Sequence, residues 1–273
     1  LDPIEKKPLY HFRPGSQILS LGSNSCNLSC FFCQNYTSSQ EPCPTSYLSP
    51  QDLKDLISQY AHNGLRQVAF TYTEPFTWYE YIYDFAQLAP ECDIVLVTNG
   101  FINPEPLRQL LPRIKALNID LKSIRNEFYR EHCQAALEPV KETIRSACAA
   151  GTHIELTNLL IPGLNDSDGE ILDLAEFVAS VDRRIPLHIS AYHPAWRATL
   201  SATPSSAVLH ACELASTKLD YVYAGNIQCH NWSETRCPNC QALLITEQRR
   251  SVGPAAAGRC RQCGNQIYGV FAC

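Results

Sequence analysis

The chain has 273 residues, 45% of them hydrophobic, with 22 basic against 27 acidic side chains and a net charge of −5. That length supports a full core, and the acidic balance argues against a nucleic-acid partner held on a basic surface. No apolar run reaches the ~18 residues that span a bilayer, so no membrane partner is expected. The fourteen cysteines read as reduced thiols of a cytoplasmic protein, because the chain is too large to need disulfide staples and opens on no charged, apolar leader. It starts at Leu1 and contains no Met, so a missing upstream segment is expected.

Residues 1–16 form an irregular lead-in whose aromatic and aliphatic side chains suit docking onto a domain spanning 17–228. Strand one is predicted over Ile18 to Gly22. After it comes Ser25-Cys26-Asn27-Leu28-Ser29-Cys30-Phe31-Phe32-Cys33-Gln34-Asn35, a Cys-x3-Cys-x2-Cys loop too polar for a core strand. Three thiols are the informative number. A closed zinc or iron-sulfur site takes four protein ligands, so three leave one metal position for an exogenous molecule. The bland alternative is three core cysteines that happen to be neighbours.

Ser49-Pro50 caps a helix stopped by Asn63-Gly64. A second strand runs over Gln67 to Tyr72, followed by Thr73-Glu74-Pro75 and an aromatic helix to about Leu88. Asp93 to Thr98 is a buried-type strand closed by Asn99-Gly100, Pro104 to Lys115 is helical, and Leu117 to Leu121 is a fourth strand. Helical pieces near Asn126 to His132 and Pro139 to Ala150 precede strand five (His153 to Ile161), a helix from Asp166 to Val181, and strand six (Leu187 to Tyr192). A last helix from Thr203-Pro204 to about Lys218 leads to a short strand at Tyr221 to Gly225.

Six or seven strands separated by helices imply parallel βαβ units with right-handed crossovers. Ligands then gather at the carboxyl edge of the sheet. The candidate site residues there are Cys26, Cys30, Cys33, Glu74, Asn99, Asp120, Lys122, Thr157 and His193. Glu74 serves either a ligand or a helix N-terminus, and Asn99-Gly100 is also a good turn. Asp120 and Lys122 flank Leu121 and so share one face of a strand, inside a barrel or at a frayed end. His193 can contact a cofactor, hold substrate or exchange a proton. His153 and His188 start their strands at the opposite edge and read as structural.

Residues 229–273 form a separate metal module. Cys237-Pro238-Asn239-Cys240 and Cys260-Arg261-Gln262-Cys263 are two knuckles whose four thiolates close a tetrahedral site. Zinc is the default occupant, with rubredoxin-like iron and an auxiliary 4Fe-4S cluster as rivals. Leu243 to Thr246 offers a hairpin strand and Gly253 to Gly258 a flexible tip. The remaining Cys43, Cys92, Cys133, Cys148, Cys212, Cys229 and Cys273 share no spacing and read as free thiols.

The three-cysteine loop resembles the radical S-adenosylmethionine (SAM) superfamily. Leu117-Asn118-Ile119-Asp120-Leu121-Lys122, the run from Thr152 to Asp166, and His188-Ile189-Ser190-Ala191-Tyr192-His193-Pro194 resemble the activating enzymes of pyruvate formate-lyase. Asp2 to Leu9, Cys33-Gln34-Asn35, Tyr72-Thr73-Glu74-Pro75 and Tyr223-Ala224-Gly225-Asn226 are closer to radical SAM proteins of the AmmeMemoRadiSam system. This resemblance implies an α/β fold, a partial (βα)6 barrel with a zinc-ribbon-like appendage. It also implies a 4Fe-4S cluster on Cys26, Cys30 and Cys33 that takes an electron from flavodoxin or ferredoxin and cleaves SAM to a 5′-deoxyadenosyl radical. That radical abstracts hydrogen from a small-molecule or protein substrate. The superfamily's Gly-Gly-Glu motif is reduced to Tyr72-Thr73-Glu74, which keeps the acid and loses both glycines. A glycyl-radical activase is one alternative; a metal-binding interaction scaffold is the rival from another class.

Overall fold

A computed structural model describes residues 1–60, 66–248 and 258–271. Among the described residues ten strands are formed: β1 Asp2–Pro3, β2 Gln17–Leu21, β3 Gln67–Phe70, β4 Asp93–Thr98, β5 Ile114–Asp120, β6 His153–Leu160, β7 Leu187–Ala191, β8 Val222–Gly225, β9 Thr235–Arg236 and β10 Leu243–Ile245. The first eight lie in one sheet in chain order. β2 to β8 are parallel, while β1 runs antiparallel against β2. The seven expected parallel strands are therefore present. The lead-in differs from expectation in adding an edge strand, with Asp2 opposite Ile18.

The helices are α1 Tyr36–Ser39, α2 Pro50–Tyr60, α3 Tyr79–Leu88, α4 Pro104–Leu110, α5 Asn126–Phe128, α6 Leu137–Ala149, α7 Asp168–Asp182 and α8 Ser205–Ser216. Ser49 begins α2 through a capping box. Its hydroxyl accepts from the Asp52 amide at 3.1 Å, and the Asp52 carboxylate accepts from Ser49 N at 3.3 Å. Ser167 caps α7 by accepting from Glu170 N, which places the start two residues later than expected. The predicted stop of α2 at Asn63-Gly64 and most of the tip at 253–258 lie outside the described residues. Near Asn126 the expected single helix is instead a short α5 followed by a π-helical turn, Tyr129–Cys133.

The two faces of the strands explain both the core and the cavity. Val68, Phe70, Ile94, Leu96, Leu117, Ile119, Ile154 and Leu156 pack outward against the helices in the main core. The alternate residues Ile18, Ala69, Val95 and Ala116 face inward and pack on Ile4, Leu9 and Phe12 of the lead-in. Two of those inward positions are alanine, which leaves room for the chain to enter the curl of the sheet. The lead-in thus forms the floor of the half-barrel.

Polar groups fasten that floor. Glu155, fully buried on β6, accepts from the amides of Tyr10 (3.0 Å) and His11 (2.7 Å) and from Nε2 of His153 (3.0 Å) and His188 (2.7 Å). Burial opposes its charge, but the two histidines outweigh that and hold the carboxyl well below the usual range. Burial also pulls His11 down to about 4, keeping the ring neutral near pH 7. Its Nδ1 therefore donates to the Tyr268 carbonyl at 2.6 Å, and its Nε2 accepts from the Tyr223 hydroxyl at 2.6 Å. Tyr223 in turn bonds Thr235 of β9 at 2.7 Å, so the floor is hydrogen-bonded to the C-terminal module. Among the described residues no helix is long and apolar enough to cross a membrane.

Candidate functional site

A cavity of about 380 Å³ opens at the carboxyl edge of the sheet. Cys26, Cys30, Cys33, Glu74, Asn99, Asp120, Lys122 and Thr157 all line it. Strand ends from β3 to β6 and the loop after β2 thus converge on one space, as the parallel topology dictates. The loop presents its sulfurs to donors: Leu28 N lies 3.4 Å from Cys26 Sγ, Asn99 Nδ2 3.5 Å from the same atom, and Ser39 Oγ 3.2 Å from Cys33 Sγ. Three thiols on one cavity wall, set among hydrogen-bond donors that suit thiolate sulfur, are a donor set that fits an iron-sulfur cluster.

Each polar residue has a defined support. Glu74 is 1% exposed and accepts from Phe76 N (3.0 Å), Thr98 Oγ1 (2.6 Å) and Asn99 N (2.8 Å). It therefore caps the helical turn Pro75–Trp78, the helix N-terminal role weighed from sequence, and it also lines the cavity. Burial raises its pKa to about 7 against those three donors. Asn99 and Gly100 likewise do two things. Gly100 has φ +72°, and a Cβ there would lie 2.8 Å from Ile119 Cγ2, so the turn requires glycine. The Asn99 amide then reaches Asn27 Oδ1 at 2.8 Å, tying the turn to the cysteine loop.

Lys122 Nζ and Asp120 Oδ2 are 2.8 Å apart. Burial pushes the lysine down, but the Asp120 carboxylate beside it raises it further, so it stays charged. Thr157 Oγ1 donates to Asn118 Oδ1 at 3.0 Å, and Asn118 Nδ2 donates to the Pro8 carbonyl at 2.8 Å. The cavity base is thus linked to the floor. Tyr72 adopts φ +70°, a region glycine fills without strain. Asn35 Nδ2 on its carbonyl (2.6 Å), its hydroxyl on Asp2 (2.8 Å) and the Lys7 ammonium 4.6 Å over its ring hold it there.

His193 departs from expectation. Its side chain is exposed and is not part of the cavity lining. β7 ends at Ala191, and the backbone of Tyr192 is drawn to Thr203, accepting from its amide at 2.9 Å and donating to its hydroxyl at 3.0 Å. This turns the following residues out of the sheet. His193 contributes only its carbonyl, which accepts from Gln34 Nε2 at 2.9 Å. Ser190 and Asn226 line the cavity from β7 and from the end of β8. Sequence reasoning missed both, although Ser190 stands two residues from His188 on the same strand face. It also missed Cys133, which packs against the cysteine loop: its carbonyl accepts from Ser29 N at 3.0 Å.

The second thiol group is assembled as its spacing predicts. Sγ atoms of Cys237 and Cys263, and of Cys240 and Cys260, are 3.6 Å apart, and all four lie within 4.8 Å of one another. They can hold one metal ion. Leu244, Ile245 and Ile267 pack beside Cys237 and Cys260 against Tyr221 and Tyr223.

The radical SAM superfamily profile matches residues 21–177. An uncharacterized protein of Methanocaldococcus jannaschii is 39% identical over 279 residues, covering 98% of this chain and 82% of that protein. A probable GTP 3′,8-cyclase of Methanosarcina mazei is 28% identical over 174 residues, 61% of this chain; the chain spans about half (52%) of that relative's length. Among solved structures, a domain of the pyruvate-formate lyase-activating enzyme from Bacteroides vulgatus aligns with a TM-score of 0.52 at 21% identity. The alignment covers 58% of this chain and 98% of that one, a likeness of fold. With the profile lying over the cysteine loop and β3 to β6, this chain belongs to the radical SAM superfamily of enzymes.

Proposed function

We propose that Cys26, Cys30 and Cys33 hold three irons of a 4Fe-4S cluster and that SAM occupies the adjoining cavity, completing the fourth iron. When bound, this pair supplies a one-electron cleavage of SAM that yields a 5′-deoxyadenosyl radical, which takes hydrogen from a substrate. The observation that carries the reading is the convergence of three thiols and five strand-end polar groups on one cavity.

The chain's own residues divide the work. Three of the acceptor positions on the Glu74 carboxylate are occupied, so Oε2 retains one for the amino group of SAM. Asn99 fixes the cysteine loop against β4. The Lys122–Asp120 pair and Thr157 offer a charged donor, an acceptor and a hydroxyl along the cavity lining. The lead-in closes the floor against water, which a radical intermediate requires. A small electron-transfer protein such as flavodoxin or ferredoxin is the proposed reductant, and the proposed substrate is a small molecule admitted at the open edge.

The C-terminal thiols are proposed to hold a single zinc ion with a structural role. Four Zn–S bonds of about 2.3 Å set sulfurs roughly 3.8 Å apart on a tetrahedron, close to the 3.6 Å found. Metal analysis of the purified protein distinguishes one zinc from one iron.

The central test is anaerobic reconstitution with iron and sulfide, reduction by dithionite, and addition of SAM. 5′-Deoxyadenosine should form with the wild-type chain and not with Cys26→Ala, Cys30→Ala or Cys33→Ala. Equal, background-level product from the wild type and Cys30→Ala refutes the proposal.

A further inference from the structure

Lys122 stands just past the end of its strand. The ladder between β5 and β6 closes at Asp120 and Thr157, so the peptide groups of Leu121 and Lys122 have left the sheet. Three side chains take its place. Lys122 N donates to the Tyr129 hydroxyl at 3.0 Å. The Lys122 carbonyl accepts from Asn165 Nδ2 at 2.7 Å and from Asn158 Nδ2 at 3.2 Å, and Asn158 Nδ2 also reaches the Leu121 carbonyl at 2.9 Å. Asn165 is itself fixed, its Nδ2 donating to the Leu159 carbonyl at 2.9 Å and its Oδ1 accepting from Ile161 N at 2.7 Å.

These supports come from the π-helical turn Tyr129–Cys133, from β6 and from the loop that follows it, and each of the three residues is at most 1% exposed. Burying polar side chains is costly unless their bonds are made, and Asn158 Oδ1 has no partner among the described residues. A strand end left open would satisfy its peptides with water and avoid that cost. What the arrangement gains is a fixed lysine. The head of the side chain is held as well, with Nζ 2.8 Å from Asp120 Oδ2. A lysine stem is ordinarily flexible. Fixed at both ends, this one lines the cavity with its freedom given up before anything binds.

Resting on the cavity reading above, we propose that Tyr129, Asn158 and Asn165 are positioning residues for Lys122: by holding its peptide they present its ammonium at one place, to the carboxylate of SAM. None of the three lines the cavity. They act through the lysine, so their effect on SAM binding depends on its charge being present.

The test is a double-mutant cycle read by SAM affinity. Wild type, Tyr129→Phe, Asn165→Ala, Lys122→Met and the two doubles with Lys122→Met are reconstituted anaerobically, and their iron and sulfide are quantified. SAM binding to the unreduced proteins is measured by calorimetric titration below their melting midpoints. Tyr129→Phe keeps the buried ring and removes only the hydroxyl, so it decides the matter if Asn165→Ala does not fold. All folded variants should carry the same iron. Lys122→Met should weaken SAM binding, and Tyr129→Phe and Asn165→Ala should each weaken it by roughly threefold or more, the worth of about one hydrogen bond. In the Lys122→Met background the same two substitutions should change it by less than about twofold. Equal losses in both backgrounds overturn the proposal, because the residues would then act on the fold at large. Wild-type affinity in Tyr129→Phe or in Lys122→Met overturns it too. A wild-type chain that carries the cluster but binds no SAM overturns the cavity reading itself.

Discussion

Replacing Glu155 by alanine tests the floor of the half-barrel most directly. The carboxylate is wholly buried and satisfies four donors, two of them main-chain amides of the lead-in. Its removal strands all four. At about 1 kcal/mol for each unsatisfied buried group, the low end of the usual range, the loss is about 4 kcal/mol. The ~3–5 kcal/mol typical of breaking a buried ion pair gives the same figure by another route. For a domain of this size each kcal/mol moves the melting midpoint by about 2–4 °C, so Glu155→Ala should melt roughly 8–16 °C lower. Glu155→Gln keeps the shape but places an NH2 among donors, and should fall between the two. Thermal unfolding by circular dichroism of the three proteins at one pH is the measurement. A midpoint within about 2 °C of wild type for Glu155→Ala would show that the lead-in is not held by this carboxylate. Because Asn118 links the same floor to Thr157 at the cavity base, the loosened variant should also admit water to the site.

Two further outcomes follow from the site and the metal module. Glu74 has a folded pKa raised from 4.5 to about 7, so its contribution to stability is intact below pH 4.5 and is lost as pH rises through about 7, by about 3 kcal/mol in full. The melting point of Glu74→Gln relative to wild type should therefore climb between pH 5 and pH 8, and a difference that is flat with pH would contradict the burial argument. For the C-terminal thiols, Cys237→Ala or chelation should remove one metal equivalent and lower the melting midpoint. SAM cleavage measured below the new midpoint should persist; its immediate loss at low temperature would assign that metal a part in the chemistry.

How much of this was legible in the sequence depended on which face of a strand carried the signal. The outward faces of β3 to β7 are largely apolar, and parallel strands covered by helices read as apolar runs; their order followed, and their boundaries came within one or two residues except at β5, which starts at Ile114 where a helix to about Lys115 was expected. The three-cysteine loop and the two knuckles were legible because metal geometry imposes a spacing on consecutive residues. The inward face is harder. His153 and His188 were expected to be structural, but nothing in their spacing points to Glu155 as their common acceptor, or to Tyr10 and His11 arriving from the lead-in. Ala69 and Ala116 are unremarkable letters until the lead-in is seen to fill the space they leave.

His193 and Cys133 show the same physics with opposite results. Both were judged by position along the chain. His193 stands where a strand end should face the site, yet a tertiary hydrogen bond between Tyr192 and Thr203 turns it away. Cys133 stands in a helical connection with no motif, yet the π turn, closed by Ala135 N on the Tyr129 carbonyl at 3.0 Å, brings its carbonyl onto the cysteine loop, where it accepts from Ser29 N at 3.0 Å. A main-chain hydrogen bond has no compositional signature, because every residue but proline carries the same donor and acceptor. Where one such bond decides whether a side chain reaches the cavity, residue type and spacing fall silent.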